Sequence, residues 1–298
     1  MKHLLKLEGM PSAAMEEILA STEVIKAKRG GGEAKPLDGQ TWAMIFTKSS
    51  TRTRVSFEVG IRELGGSVMF LNANDMQLGR GEPIKDTARV LGRMVHGAVI
   101  RTFAQADVEE FAEYSGIPTI NALTDDEHPC QILTDIFTFQ ERRGPIRGKV
   151  VTYVGDGGCN VPVSWVHAAA ALDFELRIAA PSEFQPSTET LAKAGGNISC
   201  TEDIRAAVKR ADMVYTDVWV SMGMEAEAEA RLAKLAGYQI NGELMRLAKP
   251  DTLVMHCLPA YRGKEIDAET FEAHADSIFT QAENRLHTQK AILAWLAG

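Results

Sequence analysis

The chain has 298 residues, 45% hydrophobic and 24% charged, and its 40 acidic and 32 basic side chains give a formal net charge of −8. That length is about twice a usual single domain and predicts two. The acidic balance argues against a nucleic-acid partner, and no apolar run approaches the roughly 20 residues that a membrane span needs.

The four cysteines (Cys130, Cys159, Cys200 and Cys257) form no CxxC pair, and the seven histidines form no HExxH. Neither a disulfide framework nor a metal site is expected, and a reducing cytoplasm fits. The first 20 residues carry acids and no cleavage pattern, so no signal peptide is read. An acidic mean field still allows a small anionic ligand wherever arginines cluster locally.

In chain order, residues up to about Lys28 read as a helix, and Arg29-Gly30-Gly31-Gly32-Glu33 as a flexible connection. Residues 41–46 read as a buried strand. The run Thr47-Lys48-Ser49-Ser50-Thr51-Arg52-Thr53-Arg54 stands between that strand and a helical pattern at 56–64. Ser50 or Thr51 is a suitable N-cap, and the unbonded amides of a first helical turn, with the helix dipole, attract an anion. Hydroxyls at Ser50, Thr51 and Thr53 add neutral donors, and Arg52 adds a fork that fits phosphate oxygens. An ordinary capped helix with solvated arginines is the plain alternative.

Strands are expected next at 67–71 and 98–100, with a helix at 84–94 between them. Arg101 closes the second of these strands; a lone arginine there is usually solvated. A long helix begins near His128, with Pro129 suited to its first position and with His128 and Gln131 three apart on one face. His128 as a simple cap is an equal alternative. This helix has no internal Gly or Pro before Gly144-Pro145, and the domain crossover is expected within it, near residue 133.

A second series of strands is expected at 149–154, 176–179, 213–216, 252–255 and 277–280, closed by an amphipathic helix at 285–296. Alternation of short apolar runs with helical patterns is the mark of parallel α/β sheets. After the first strand of this series, Gly155-Asp156-Gly157-Gly158-Cys159-Asn160 matches only two glycines of a dinucleotide fingerprint, and the next strand ends in alanine where an acid is expected. NAD binding is therefore the weaker reading. Asp217 ends a strand, where a carboxylate reaches the carboxyl edge of the sheet. Taken singly, Asp217 as a cap and Met222 as core filler would be the better reading.

Together these segments resemble the aspartate and ornithine carbamoyltransferase family. Ser50-Thr51-Arg52-Thr53-Arg54 resembles its carbamoyl-phosphate signature, His128-Pro129-Cys130-Gln131 its HPxQ motif, and His256-Cys257-Leu258-Pro259 its HCLP motif. Ser221-Met222-Gly223 is similar to the SMG loop of the ornithine branch, and Ala282-Glu283-Asn284-Arg285 to the terminal motif. The turn before Asn160 resembles GDGNNV with one glycine more and with Cys159 in place of asparagine. Arg80 and Tyr261 also depart from the pattern.

By this resemblance, carbamoyl phosphate is held by Ser50, Thr51, Arg52, Thr53, Gln77, Arg101, His128, Gln131, Cys257, Leu258 and Arg285. Ornithine is held by Asn160, Asp217, Ser221 and Met222. Arg101, His128, Cys257 and Arg285 act at the transferred group, and Arg54 faces structure. Two doubly wound parallel-sheet domains are implied, joined by long helices, with the active site in the interdomain cleft. The first is residues 1–133, completed by a C-terminal helix at 282–298, and binds carbamoyl phosphate; the second, 134–281, binds ornithine. The implied reaction moves the carbamoyl group onto the ornithine side chain without a cofactor or metal, in a cytoplasmic homotrimer or a multiple of trimers, with no nucleic-acid or membrane partner. Putrescine or an acylated ornithine as acceptor, and a non-catalytic carbamoyl-phosphate sensor, are the alternatives.

Overall fold

The computed structural model describes residues 1–32, 34–72, 81–221 and 223–298. Among them the helices and strands run α1 (Ser12–Ala27), β1 (Thr41–Phe46), α2 (Thr51–Glu63), β2 (Ser67–Asn72), α3 (Ile84–Leu91), β3 (Gly97–Arg101), α4 (Gln105–Ser115), β4 (Thr119–Leu123) and α5 (Pro129–Arg143). They continue with β5 (Val150–Val154), α6 (Asn160–Leu172), β6 (Glu175–Ala179), α7 (Thr188–Ala194), β7 (Ile198–Thr201), α8 (Ile204–Val208), β8 (Met213–Thr216), α9 (Ala228–Leu235), α10 (Gly242–Met245), β9 (Leu253–His256), α11 (Ala268–Ala273) and α12 (Ala275–Ala297). The chain divides into two compact units: Met1–Phe137 with Asn284–Gly298, and Thr138–Glu283. It passes from one to the other within α5 and returns within α12.

The first unit holds a parallel sheet in the order β2-β1-β3-β4. β1 and β3 are its central strands, and their apolar runs are buried almost throughout, as strands covered on both faces require. β2 lies at the edge and is half-exposed. α2 begins at Thr51, five residues before the apolar helical pattern starts, because Ser50 caps it: the Ser50 hydroxyl accepts from the Thr53 amide at 3.2 Å. The hydroxyl and arginine run therefore forms the first helical turn. α4 and β4 are additional to the elements expected from the sequence; α4 stops where Gly116 takes φ 65°.

The second unit holds a parallel sheet in the order β7-β6-β5-β8-β9. β7, also not expected from the sequence, is a short, half-exposed edge strand of sequence Ile-Ser-Cys-Thr whose apolar signal is weak.

The strand expected at 277–280 is instead part of α12, which runs unbroken for 23 residues. The run Ser277-Ile278-Phe279-Thr280, with β-branched Ile278 and Thr280, suggested a strand, but the Ser277 hydroxyl donates back to the His274 carbonyl at 2.9 Å and across to the Val254 carbonyl at 2.7 Å, and no Gly or Pro interrupts the remainder of the helix. The expected amphipathic face of 285–296 is absent over 284–293, where every residue is buried. Two of the polar side chains there are paired: Lys290 with Glu63 at 2.7 Å, and Asn284 accepting from Lys26 at 2.7 Å. Such pairing offsets the cost of taking a polar group out of water.

Candidate active site

In an open parallel sheet, ligands meet the carboxyl ends of the strands where the strand order reverses. In the first unit that point lies between β1 and β3, and the chain places Thr47–Thr53 after β1 and Arg101 at the end of β3. The α2 N-terminus opens there. Thr53 is fully buried and its hydroxyl accepts from Arg285 Nη2 at 2.7 Å. Arg101 is 8% exposed and Arg285 4%.

Both guanidiniums press on His128, which is also buried. Burial first, then Arg285 and Arg101, push its pKa well below the ordinary histidine value, so the imidazole is neutral at neutral pH. His128 caps α5: its carbonyl accepts from the amides of Gln131 (3.1 Å) and Ile132 (3.3 Å), and Pro129 fills the first helical position as expected. Gln131 is fully buried. Its amide nitrogen donates to Asp135 at 2.8 Å, and its carbonyl oxygen has no partner among the described residues. Thr51 is exposed and Arg52 half-buried, while Arg54 stacks on the Phe70 ring at 3.9 Å and pairs with Glu58 at 3.8 Å, outside this cluster.

Two members of the neighbourhood went unnoticed in the sequence. Lys48 is nearly buried, pairs with Asp125 and lies 4.2 Å from the Phe103 ring. Glu127 accepts from the amides of Leu7 (2.6 Å) and Glu8 (3.2 Å), tying the N-terminal segment to the residue before His128. Their partners are up to 120 residues away, and no local pattern announces them.

Burial raises the Glu127 carboxyl from its ordinary value of 4.5 to about 7 despite those amides. Between these values the folded chain keeps a proton that the unfolded chain has lost. The stability this confers is complete below 4.5 and disappears as pH rises through about 7. Glu127→Gln should flatten the stability–pH curve across that window, read from urea midpoints at pH 5 and pH 8. An unchanged slope would mean that Glu127 is already ionised at pH 5.

In the second unit the strand order reverses between β5 and β8. After β5 comes the turn 155–159. Gly155 has φ 130°, and a Cβ on Gly157 would lie 2.6 Å from Ile178 and 3.0 Å from the Phe184 carbonyl, so only glycine fits either place. α6 is capped by Cys159, without a side-chain cap bond, and Asn160 is its first residue.

After β8 comes Asp217, 8% exposed, whose Oδ1 accepts from the Val218 amide at 2.7 Å and from the Cys257 thiol at 2.9 Å. Cys257 and Leu258 come directly after β9. His256 Nδ1 accepts from the Leu258 amide at 2.9 Å, so Nε2 carries the hydrogen toward Glu265, 3.1 Å away. Asp217, His256 and Cys257 approach within 4.8 Å, but both imidazole nitrogens and the thiol are engaged in these bonds, which leaves the trio poorly suited to a metal. Ser221 is half-buried, and its carbonyl accepts from the Met224 amide at 3.0 Å. Gln77 and Met222 lie outside the described residues.

Thus Thr53, Arg101, His128 and Arg285 come together in one unit, and Asp217 and Cys257 in the other. The sequence reading missed the buried pairs His256–Glu265 and Asp156–Arg231. Arg231 sits in the stretch Glu225-Ala226-Glu227-Ala228-Glu229-Ala230-Arg231, which reads as a solvated helix face, and its partner is 75 residues away.

Residues 2–141 match the carbamoyl-P binding domain of aspartate/ornithine carbamoyltransferase, and residues 147–296 match the Asp/Orn binding domain. The ornithine carbamoyltransferase of Akkermansia muciniphila is 54% identical over 300 residues, covering 100% of this chain and 98% of the relative. That of Methylococcus capsulatus is 50% identical over 295 residues, covering 99% and 98%. Among solved structures, the ornithine carbamoyltransferase from Pyrococcus furiosus superposes with a TM-score of 0.92 at 44% identity, covering 100% of this chain and 97% of the other. The anabolic enzyme from Campylobacter jejuni superposes at 0.93 and 42%, covering 99% of each. With both domain types present in order and relatives at half identity along its whole length, the chain belongs to the aspartate/ornithine carbamoyltransferase family.

Proposed function

We propose that this chain transfers the carbamoyl group of carbamoyl phosphate to the side-chain amine of L-ornithine, giving L-citrulline and phosphate. The observation that carries the reading is the convergence of Arg101 and Arg285 on a neutral His128, with Arg285 also bonded to Thr53 in the first turn of α2. An acidic protein has there concentrated positive charge and hydrogen-bond donors at a helix N-terminus, the setting for a phosphate carrying a polar carbonyl.

In this reading Ser50, Thr51, Arg52 and Thr53 hold the phosphate. Arg101, His128 and Arg285 donate to the carbamoyl oxygen, and Gln131 and the Leu258 carbonyl take the carbamoyl amine. Asn160, Asp217, Ser221 and Met222 hold ornithine, with Cys257 beside the transferred group. The amine nitrogen bonds to the carbamoyl carbon, whose oxygen gains negative charge; the bond from that carbon to the bridging oxygen then breaks, phosphate leaves with the electron pair, and the proton shed by the attacking nitrogen passes to that phosphate. Preorganised donors stabilise that charge, and holding the reactants in line lowers the barrier further.

The assembly proposed is a homotrimer or a multiple of trimers, working in the cytoplasm in arginine metabolism; the family resemblance supports this part. No helix among the described residues is long and apolar enough to cross a membrane.

The attacking amine must be neutral. A lysine-like amine has a pKa of about 10.4, so fewer than about one in a thousand are neutral at pH 7. A colorimetric citrulline assay with ornithine, putrescine and N-acetylornithine should show turnover of ornithine, with kcat/KM rising above neutral pH. Preferential carbamoylation of another amine would reassign the acceptor, and no product with any amine would leave a binding protein. A flat pH profile would mean that deprotonation of the amine does not limit the reaction.

A further inference from the structure

The amine-binding reading depends on two loops that leave neighbouring strands: the turn 155–159 after β5 and the stretch 217–221 after β8. One side chain reaches both. Arg231, on α9, is 8% exposed although Glu229 and Ala230 beside it are both exposed. Its Nε donates to the Trp219 carbonyl at 3.1 Å, and its Nη2 pairs with Asp156 Oδ2. The other oxygen of Asp156 accepts from the Gly158 amide at 3.1 Å, so the pair anchors backbone on both sides. The guanidinium also lies 4.7 Å from the Phe184 ring, and Nη1 is 3.7 Å from Glu227. Trp219 in turn packs over Gly155, where a Cβ would already be 3.5 Å from the indole.

We propose that Arg231 is a positioning residue for the amine acceptor, locking residues 155–160 to residues 217–221 so that Asn160 and Asp217 meet ornithine in one fixed geometry. This rests on the ornithine-binding reading above. The physical reason is the shape of the guanidinium. A rigid planar fork bonds a carboxylate and a carbonyl at once and stacks on an aromatic face, whereas a lysine ammonium is a point charge that satisfies one partner at a time. Burying such a pair is expensive.

Arg231→Lys keeps the charge beside Asp156 and gives up the fork. Its ornithine KM should rise about tenfold or more, the effect of one charge-assisted hydrogen bond. Its melting temperature and its affinity for inorganic phosphate, bound in the other unit, should stay near wild type. An unchanged ornithine KM, or equal losses in phosphate affinity and ornithine KM, would overturn the proposal.

Should Arg231→Met fail to fold because Asp156 is stranded, the Asp156→Asn/Arg231→Met double variant removes that charge. It should recover the melting temperature while the ornithine KM stays high; return of KM to wild type would overturn the positioning role. Wild-type turnover of ornithine in the same assay separates failure of this inference from failure of the substrate assignment.

Discussion

Arg285→Ala should lower kcat/KM for both substrates by about 10²–10³-fold, the loss seen when one preorganised donor to a developing oxyanion is removed. Arg285 is buried, donates to Thr53 at 2.7 Å and contributes to keeping His128 neutral. Its deletion therefore removes a donor from the charge that forms in the transition state and frees the Thr53 hydroxyl to take other partners. Burial remains the larger cause of the low His128 pKa, so the imidazole should stay neutral and the loss should be uniform with pH. Arg285→Lys should recover part of the rate, because it restores charge without the fork. Steady-state kinetics with a parallel melting curve is the check. A change under threefold in a folded variant would take Arg285 out of the site.

Asp217→Asn should raise the ornithine KM and lower kcat/KM for ornithine by about 10²-fold, corresponding to about 3 kcal/mol for a desolvated charge pair. The substitution is conservative for the fold. Asparagine keeps the oxygen that accepts from the Val218 amide and the Cys257 thiol, so the loop retains its local bonds and loses only the negative charge. Phosphate affinity should be unaffected, because that ligand belongs to the other unit. Calorimetry with inorganic phosphate together with ornithine saturation curves separates the two. An unchanged ornithine KM would show that the acceptor's positive charge is met elsewhere.

Much of the architecture was readable in chain order. β1 and β8 lie where apolar runs of strand length placed them, and α5 starts at Pro129 and ends before Gly144. Errors came where local signals conflict or are weak. Ser277-Ile278-Phe279-Thr280 has strand-like composition, yet it continues a helix whose hydrogen-bonded backbone runs unbroken to Ala297. β7 is polar and short because an edge strand need not be apolar on both faces. β4, in contrast, is well buried, and α4 buries Val108, Phe111, Ala112 and Ser115 along one face, yet neither was expected.

Taken alone, the order of residues determined the strand–turn–helix units and the chemistry each could host. It set hydroxyls and arginines at a helix start, a glycine turn where Cβ atoms do not fit, and an acid at a strand end. These are short-range properties, governed by backbone sterics and by which amides a helix leaves unbonded. Only the tertiary structure decided which distant side chains share charge. Arg285 on Thr53, Arg101 beside His128, Lys48 on Asp125 and Arg231 on Asp156 span separations from about thirty residues to over two hundred. Such pairs form because a charge taken out of water must find a partner wherever the folded chain brings one, and that neighbour is set by strand order in the sheets rather than by position in the sequence.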